Sequence, residues 1–123
     1  MALSVVSVAL EASHVIKIDK GRLKRLAVEI DSTAPTADYY IHVVQGTQGA
    51  IPANGALPAG ASFLRAPHHV NHVLNTSDQV LLADTSSEDG LEFQGGLAIW
   101  LSTTLATKTI AGAYMLIDAD IRD

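Results

Sequence analysis

The chain has 123 residues, a length typical of one domain with a single buried core, and we expect residues 1–123 to form one domain. Its formal net charge of −5, with 17% charged residues, argues against nucleic acid or an anionic membrane as a partner, because both require a basic surface. No apolar run approaches the ~18 residues of a membrane helix, and the absence of cysteine excludes disulfides and a thiolate nucleophile.

The first ten residues, MALSVVSVAL, are apolar but carry no basic leader, and they meet Glu11 too early for a signal sequence. Alternation of apolar residues favours a strand here. We therefore expect residues 1–10 to form a strand or an arm that contacts a neighbouring subunit.

Turn-forming residues divide the rest of the chain into short runs rich in β-branched and aromatic residues. This spacing is typical of an antiparallel β-sandwich or a jelly-roll-like barrel, and we predict an all-β fold of that kind. The predicted strands cover residues 14–19, 39–45, 79–83, 97–104 and 113–121.

The segment GRLKRLAVEID, residues 21–31, fits two patterns. Leu23, Leu26 and Ile30 form a helical stripe, whereas Leu26, Val28 and Ile30 alternate as in a strand. We favour a strand because strands are predicted on both sides, and a helix that covers one barrel end is the alternative.

Two further features concern uncharged surface. Residues 46–61, GTQGAIPANGALPAGA, predict a long ordered loop, and its lack of charge indicates that it lies against another surface. Within residues 97–104, alternation places Trp100 on the face opposite Leu97. Trp100 is then either an interface anchor or a partner of Tyr114 in a second layer.

The octapeptide APHHVNHV, residues 66–73, holds three of the five histidines. In a strand, His68 and His72 share a face but lie about 13 Å apart, and His69 points the other way, so one ion is out of reach. A helix would bring them together at metal-binding spacing. We favour a polar edge or interface segment, and place His68, His69, His72 and Trp100 at a subunit interface.

One long stretch, GLEFQGGLAIWLSTTLATKTIAGAYMLIDADI, resembles the C-terminal half of small β-sandwich structural proteins of tailed bacteriophages. The segment GRLKRLAVEIDSTAPTADYYIHVV resembles an earlier strand pair of the same proteins. The matching residues of the first stretch are Phe93, Gly95, Gly96, Leu97, Ser102, Thr103, Thr104, Thr107 and Thr109.

The resemblance implies a non-enzymatic virion protein, most simply a capsid decoration protein that oligomerises and clamps the major capsid protein. It transfers no catalytic residue, and we expect no cofactor and no metal ligand set. The alternative is a carbohydrate- or receptor-binding module of a fibre or baseplate, and a histidine-based metal protein is the third hypothesis.

Overall fold

The structure is a computed structural model that describes residues 2–6, 10–48, 50–84 and 90–122. Ten strands and no helix are found in these ranges, so no helix of the described chain is long and apolar enough to cross a membrane. The strands are β1 (Ala2–Val6), β2 (Ser13–Ile16), β3 (Lys20–Ile30), β4 (Ala37–Gln45), β5 (Ser62–Phe63), β6 (His68–His72), β7 (Asp78–Asp84), β8 (Leu91–Gln94), β9 (Leu97–Ser102) and β10 (Met115–Arg122).

The strands form two five-stranded antiparallel sheets that pack face to face. The first sheet has the order β1-β10-β3-β7, with β8 also paired to β3, and the second has the order β2-β9-β4-β5, with β6 also paired to β4. This architecture confirms the predicted all-β fold, in its β-sandwich form.

The core lies between the sheets and follows the period of two that extended chain imposes. In β10, Met115, Ile117 and Ala119 are fully buried while the residues between them are partly exposed. Leu97 and Ile99 of β9 face them from the second sheet and are equally buried. Burial of each large aliphatic side chain contributes about 1.5–3 kcal/mol, so this shared face supplies most of the driving force for the sandwich.

A β-bulge explains the ambiguous pattern of residues 21–31. Asp120 of β10 pairs with Arg25 and Ile121 pairs with Leu23, so Lys24 is an extra residue in β3. The bulge lets Leu23 and Leu26 both enter the core although they are three positions apart. The strand prediction is confirmed, and the spacing that suggested a helix comes from the extra residue.

The N-terminal strand belongs to the first sheet. All five residues of β1 pair antiparallel with β10, from Ala2 opposite Arg122 to Val6 opposite Asp118. The predicted strand is therefore present over Ala2–Val6, and residues 7–9 lie outside the described chain. A contact between this strand and a neighbouring subunit stays a prediction.

Candidate functional site

The histidine segment is an edge strand of the second sheet. His68 pairs with Ile41, and His72 pairs with Ala37, so β6 lies beside one half of β4. The extended conformation makes the side chains alternate: His68 is half-buried, His69 is exposed, and His72 is fully buried. The predicted edge segment is thus correct, and a helical metal site is excluded because the segment is extended.

His72 is a structural residue. Its Nδ1 atom lies 2.5 Å from the Asp78 carboxylate, and its Nε2 atom lies 3.1 Å from the carbonyl oxygen of Ala34. The imidazole therefore ties β6 to the start of β7 and to the turn before β4. With both ring nitrogens engaged and no solvent exposure, His72 is not available to a partner, contrary to the interface placement expected from the sequence.

His69 and His68 are the two histidines of the segment that reach solvent. His69 bonds Asp38 at 2.9 Å and packs on the Tyr40 ring, with ring centroids 5.2 Å apart. The pKa of His68 is lowered first by burial and then by the positive charges of Arg65 and His69. Across the described ranges, no group of three histidine, aspartate or glutamate side chains is arranged to hold a metal ion.

Trp100 is fully buried within the chain, which corrects its placement at an interface. It forms a second, small apolar cluster with Val44 and Ala98, on the face of the second sheet that points away from the main core. The predicted loop covers this cluster through Ile51 and Leu57. Both faces of β9 are consequently buried, because the loop adds a third layer to the sandwich.

A hydrogen bond between Trp100 and His42 fixes the protonation state of the histidine. The indole Nε1–H donates to His42 Nδ1 at 2.8 Å, so Nδ1 must carry a lone pair. The other ring nitrogen, Nε2, lies 3.2 Å from the Thr104 carbonyl oxygen and is the donor. Burial lowers the pKa of His42, in agreement with a neutral imidazole at this position.

Lys108 connects the loop to the tryptophan. Its Nζ atom donates to the Asn54 side-chain oxygen at 3.1 Å and lies 5.7 Å from the centroid of the Trp100 ring. Gly55 and Lys108 also exchange two backbone hydrogen bonds of 2.8 Å. Burial lowers the pKa of this lysine, and the cation over the indole face is a cation–π contact.

The Ser-Thr-Thr motif builds the turn after β9. The buried Ser102 hydroxyl accepts the backbone N–H groups of Thr104 at 3.2 Å and of Thr109 at 3.0 Å, and lies 3.1 Å from the Thr107 carbonyl oxygen. The Thr104 hydroxyl donates to the same Thr107 carbonyl at 2.7 Å. The motif thus satisfies backbone groups of an irregular segment with side chains, which is a structural task.

The glycine pair of the motif carries the chain from one sheet to the other. Gly95 and Gly96 have φ angles of 75° and 79°, in the region that glycine adopts without strain. A side chain on Gly95 would also approach the Gly46 backbone to 2.8 Å. Phe93, just before the pair, is buried in the core. The resembling residues are therefore explained by packing and turn geometry.

The outer face of the first sheet carries a shallow groove of about 510 Å³. Ala27 pairs with Leu81 on β7 and with Asp118 on β10, and Leu116 of β10 and Val6 of β1 also line the groove. Leu81 and Val6 are 53% and 60% exposed, so the groove presents apolar surface to its surroundings. Its polar lining consists of Glu29, Gln79 and the ion pair of 3.2 Å between Arg25 and Asp118.

The edge beside this groove differs from the other edges in charge. Among the edge strands of the described chain that are longer than two residues, β1 is the one whose sequence contains no titratable residue. The others contain His14 in β2, three histidines in β6, Asp78 and Asp84 in β7, and Glu92 in β8. Charges on edge strands oppose the addition of a foreign strand, so β1 is the edge least protected from pairing.

In comparisons with known proteins, the chain matches no protein-family model, no curated protein and no solved structure. A function is therefore inferred from the fold and the residues.

The network of His42, Lys108 and Asn54 around Trp100 was not predicted from the sequence. The lack of charge in the loop was the one feature of the sequence that pointed to this network. The contact between Lys108 and Asn54 leaves no local sequence pattern, because the two residues are 54 positions apart.

Proposed function

We propose that the protein is a non-enzymatic virion structural protein, most simply a capsid decoration protein that oligomerises and stabilises the capsid lattice. The observation that carries the proposal is the uncharged β1 edge beside the apolar groove of the first sheet. A row of unpaired backbone N–H and C=O groups is complementary to another strand, and the groove adds apolar area next to it.

The partner that we assign to this edge is a second copy of the chain. Among the described strands, β1 pairs with β10 alone, so we assign its other side to the β1 strand of a neighbour. Two antiparallel β1 strands would join two five-stranded sheets into one. The same edge on both copies makes the contact self-complementary, as in most homodimers.

The use of the polar residues supports a structural role. His42, His72 and Ser102 are fully buried, and each is bonded to backbone or side-chain groups that stabilise a turn or join two strands. A catalytic group needs a polar atom directed at a substrate. The buried polar atoms of these three residues are directed at the protein itself.

A second candidate function is a carbohydrate- or receptor-binding module. Tyr40 and His69 form a tilted ring pair on the outer face of the second sheet, beside the exposed Asp38, and this combination of ring faces and acceptors suits a sugar. Against it, Trp100 and Phe93 are buried and leave few aromatic rings for a platform. Selective glycan binding that Tyr40→Ala abolishes would establish this function instead.

The direct test is the composition of virus particles made by the genome that encodes the chain. Particles purified by density gradient are digested, and the chain is quantified against the major capsid protein by mass spectrometry. A decoration protein is expected at a fixed ratio of the order of one copy per capsid subunit or per few subunits. Absence from purified particles, with the chain present in the infected cell, would overturn the proposal.

The same measurement separates the two candidates. A fibre or baseplate module is present in tens of copies or fewer because these organelles are few per particle, so its ratio to the capsid subunit is far lower. Addition of purified chain to particles that lack it, followed by heating, supplies the second readout. A decoration protein raises the temperature at which the capsid releases its genome, since it binds the intact lattice only.

A further inference from the structure

We propose that residues 50–61, here called the cover loop, are an acid-released cover: protonation of His42 detaches the loop and exposes the apolar cluster around Trp100. The inference is independent of the proposed function, since it concerns the second sheet and a single copy of the chain. It starts from the hydrogen bonds of one buried imidazole.

The closed position of the loop requires a neutral His42. The Nδ1 atom accepts the indole N–H at 2.8 Å, and it cannot do so once it carries a proton of its own. Two N–H groups would then face each other in a site with no solvent exposure. Protonation therefore replaces a good buried hydrogen bond with a repulsive contact and places a charge in an apolar cluster.

Among the residues that the structure describes, no acidic side chain interacts with His42 to compensate that charge. From the cover loop, Ile51 and Leu57 pack on the cluster; from β9, the Trp100 indole bonds the imidazole; and from β5, the Phe63 ring meets the imidazole edge-on at 5.0 Å. From the segment after β9 comes Lys108, which is itself cationic and buried. The neighbouring titratable group on β6, His69, is already paired with Asp38.

The cover loop is the element that we expect to move when His42 is protonated, because few contacts hold it to the sheet. It is held by the apolar contacts of Ile51, Leu57 and Ala61, and by hydrogen bonds that join residues 54 and 55 to Lys108 and Ile110. These contacts lie on the outer face of the second sheet, whereas the main core lies on its inner face. Release of the loop therefore costs the small cluster and leaves the sandwich intact.

The direction of the pH effect follows from burial. The pKa of His42 is below its ordinary value of 6.5 in the closed form, because burial disfavours the charged ring. In the open form the ring is hydrated and binds a proton more readily. The closed form is thus fully favoured above pH 6.5 and loses stability as the pH falls from there through the lowered pKa.

The single tryptophan of the chain, Trp100, reports the opening directly. Intrinsic fluorescence and far-ultraviolet circular dichroism are recorded on the full chain between pH 8 and pH 4. We expect the emission maximum to shift to the red with a midpoint below pH 6.5, while the β-sheet signal is unchanged over the same step. Loss of the β-sheet signal in parallel with the shift would mean global unfolding and would overturn the proposal.

His42→Gln is the decisive variant, because glutamine offers an acceptor to the indole and a donor to the Thr104 carbonyl but does not titrate. We expect the acid step in emission to disappear. His68→Gln is the matched control, since the pKa of His68 is also lowered by burial, and this variant should keep the step. A step that persists in His42→Gln, or that disappears in His68→Gln instead, contradicts the assignment.

Hydrogen exchange on the unmodified chain keeps the test independent of how the variants fold. After correction for the intrinsic rate, the backbone amides of Gly55 and Lys108, which bond each other's carbonyl groups in the closed form, should exchange about tenfold faster or more at pH 5 than at pH 7.5. Amides of β3 and β10 should keep their protection. Equal protection of Gly55 at both values would overturn the proposal.

Discussion

At the scale of single residues, the hydroxyl of Ser102 illustrates why the Ser-Thr-Thr motif occurs in this chain. One buried oxygen serves two backbone donors, Thr104 and Thr109, in a segment that has no sheet ladder to satisfy them. The sequence identified the motif by resemblance but could not reveal its task. The role of the hydroxyl depends on a turn that brings the Thr109 backbone N–H back to Ser102, seven positions earlier in the chain.

Replacement of the buried Ser102 by alanine leaves the partly buried backbone N–H groups of Thr104 and Thr109 without this acceptor. We expect Ser102→Ala to lower the free energy of unfolding by about 1–3 kcal/mol. Thr103→Ala is the control within the same motif, because Thr103 is exposed, and it should change stability by less than about 0.5 kcal/mol. Urea denaturation followed by circular dichroism measures both, and equal effects would contradict the structural role assigned to the serine.

At the scale of elements, the strands were predictable wherever alternation was regular, as in residues 113–121, and less so where the chain is bulged. Lys24 interrupts the alternation of β3, so the pattern also fitted a helix, and a bulge is set by pairing with distant strands. Trp100 was placed on the correct face of β9, but its burial depends on a loop about 40–50 positions earlier in the chain.

Because side chains alternate along β6, its histidines contribute differently to the free energy of unfolding. His72→Ala removes two hydrogen bonds and a buried ring, and leaves the Ala34 carbonyl without a partner, so we expect a loss of about 2–4 kcal/mol. His69→Ala removes an exposed hydrogen bond to Asp38 and should cost less than about 1 kcal/mol. Similar losses in the two variants, measured by urea denaturation, would show that the strand is not oriented as described.

At the scale of the whole molecule, the described chain leaves several large apolar side chains exposed, and two of them, Val6 and Leu81, line one groove. The small charged fraction predicted contact with other proteins, and the structure adds where such surface lies: beside β1, in the groove between Leu81 and Leu116. The sequence could not locate the groove, because the residues that line it come from four strands that are far apart in the chain. Assembly through the β1 edge is accordingly the central claim.

The β1 contact can be removed by one charge. Val6 lies at the end of β1 and is 60% exposed, so Val6→Lys should fold normally while placing like charges near the edge of both copies. We expect the dissociation constant for self-association to rise by about tenfold or more. Val73→Lys, at a position 52% exposed and remote from β1 in the fold, is the control and should associate like the unmodified chain.

Sedimentation velocity of the purified chain over a wide concentration range tests this claim most directly. The account predicts that the 12.9 kDa chain sediments as a dimer or larger assembly as concentration rises, that Val6→Lys stays at the mass of one chain, and that Val73→Lys does not. A monomer at every concentration, or association that Val6→Lys leaves unchanged, would contradict it.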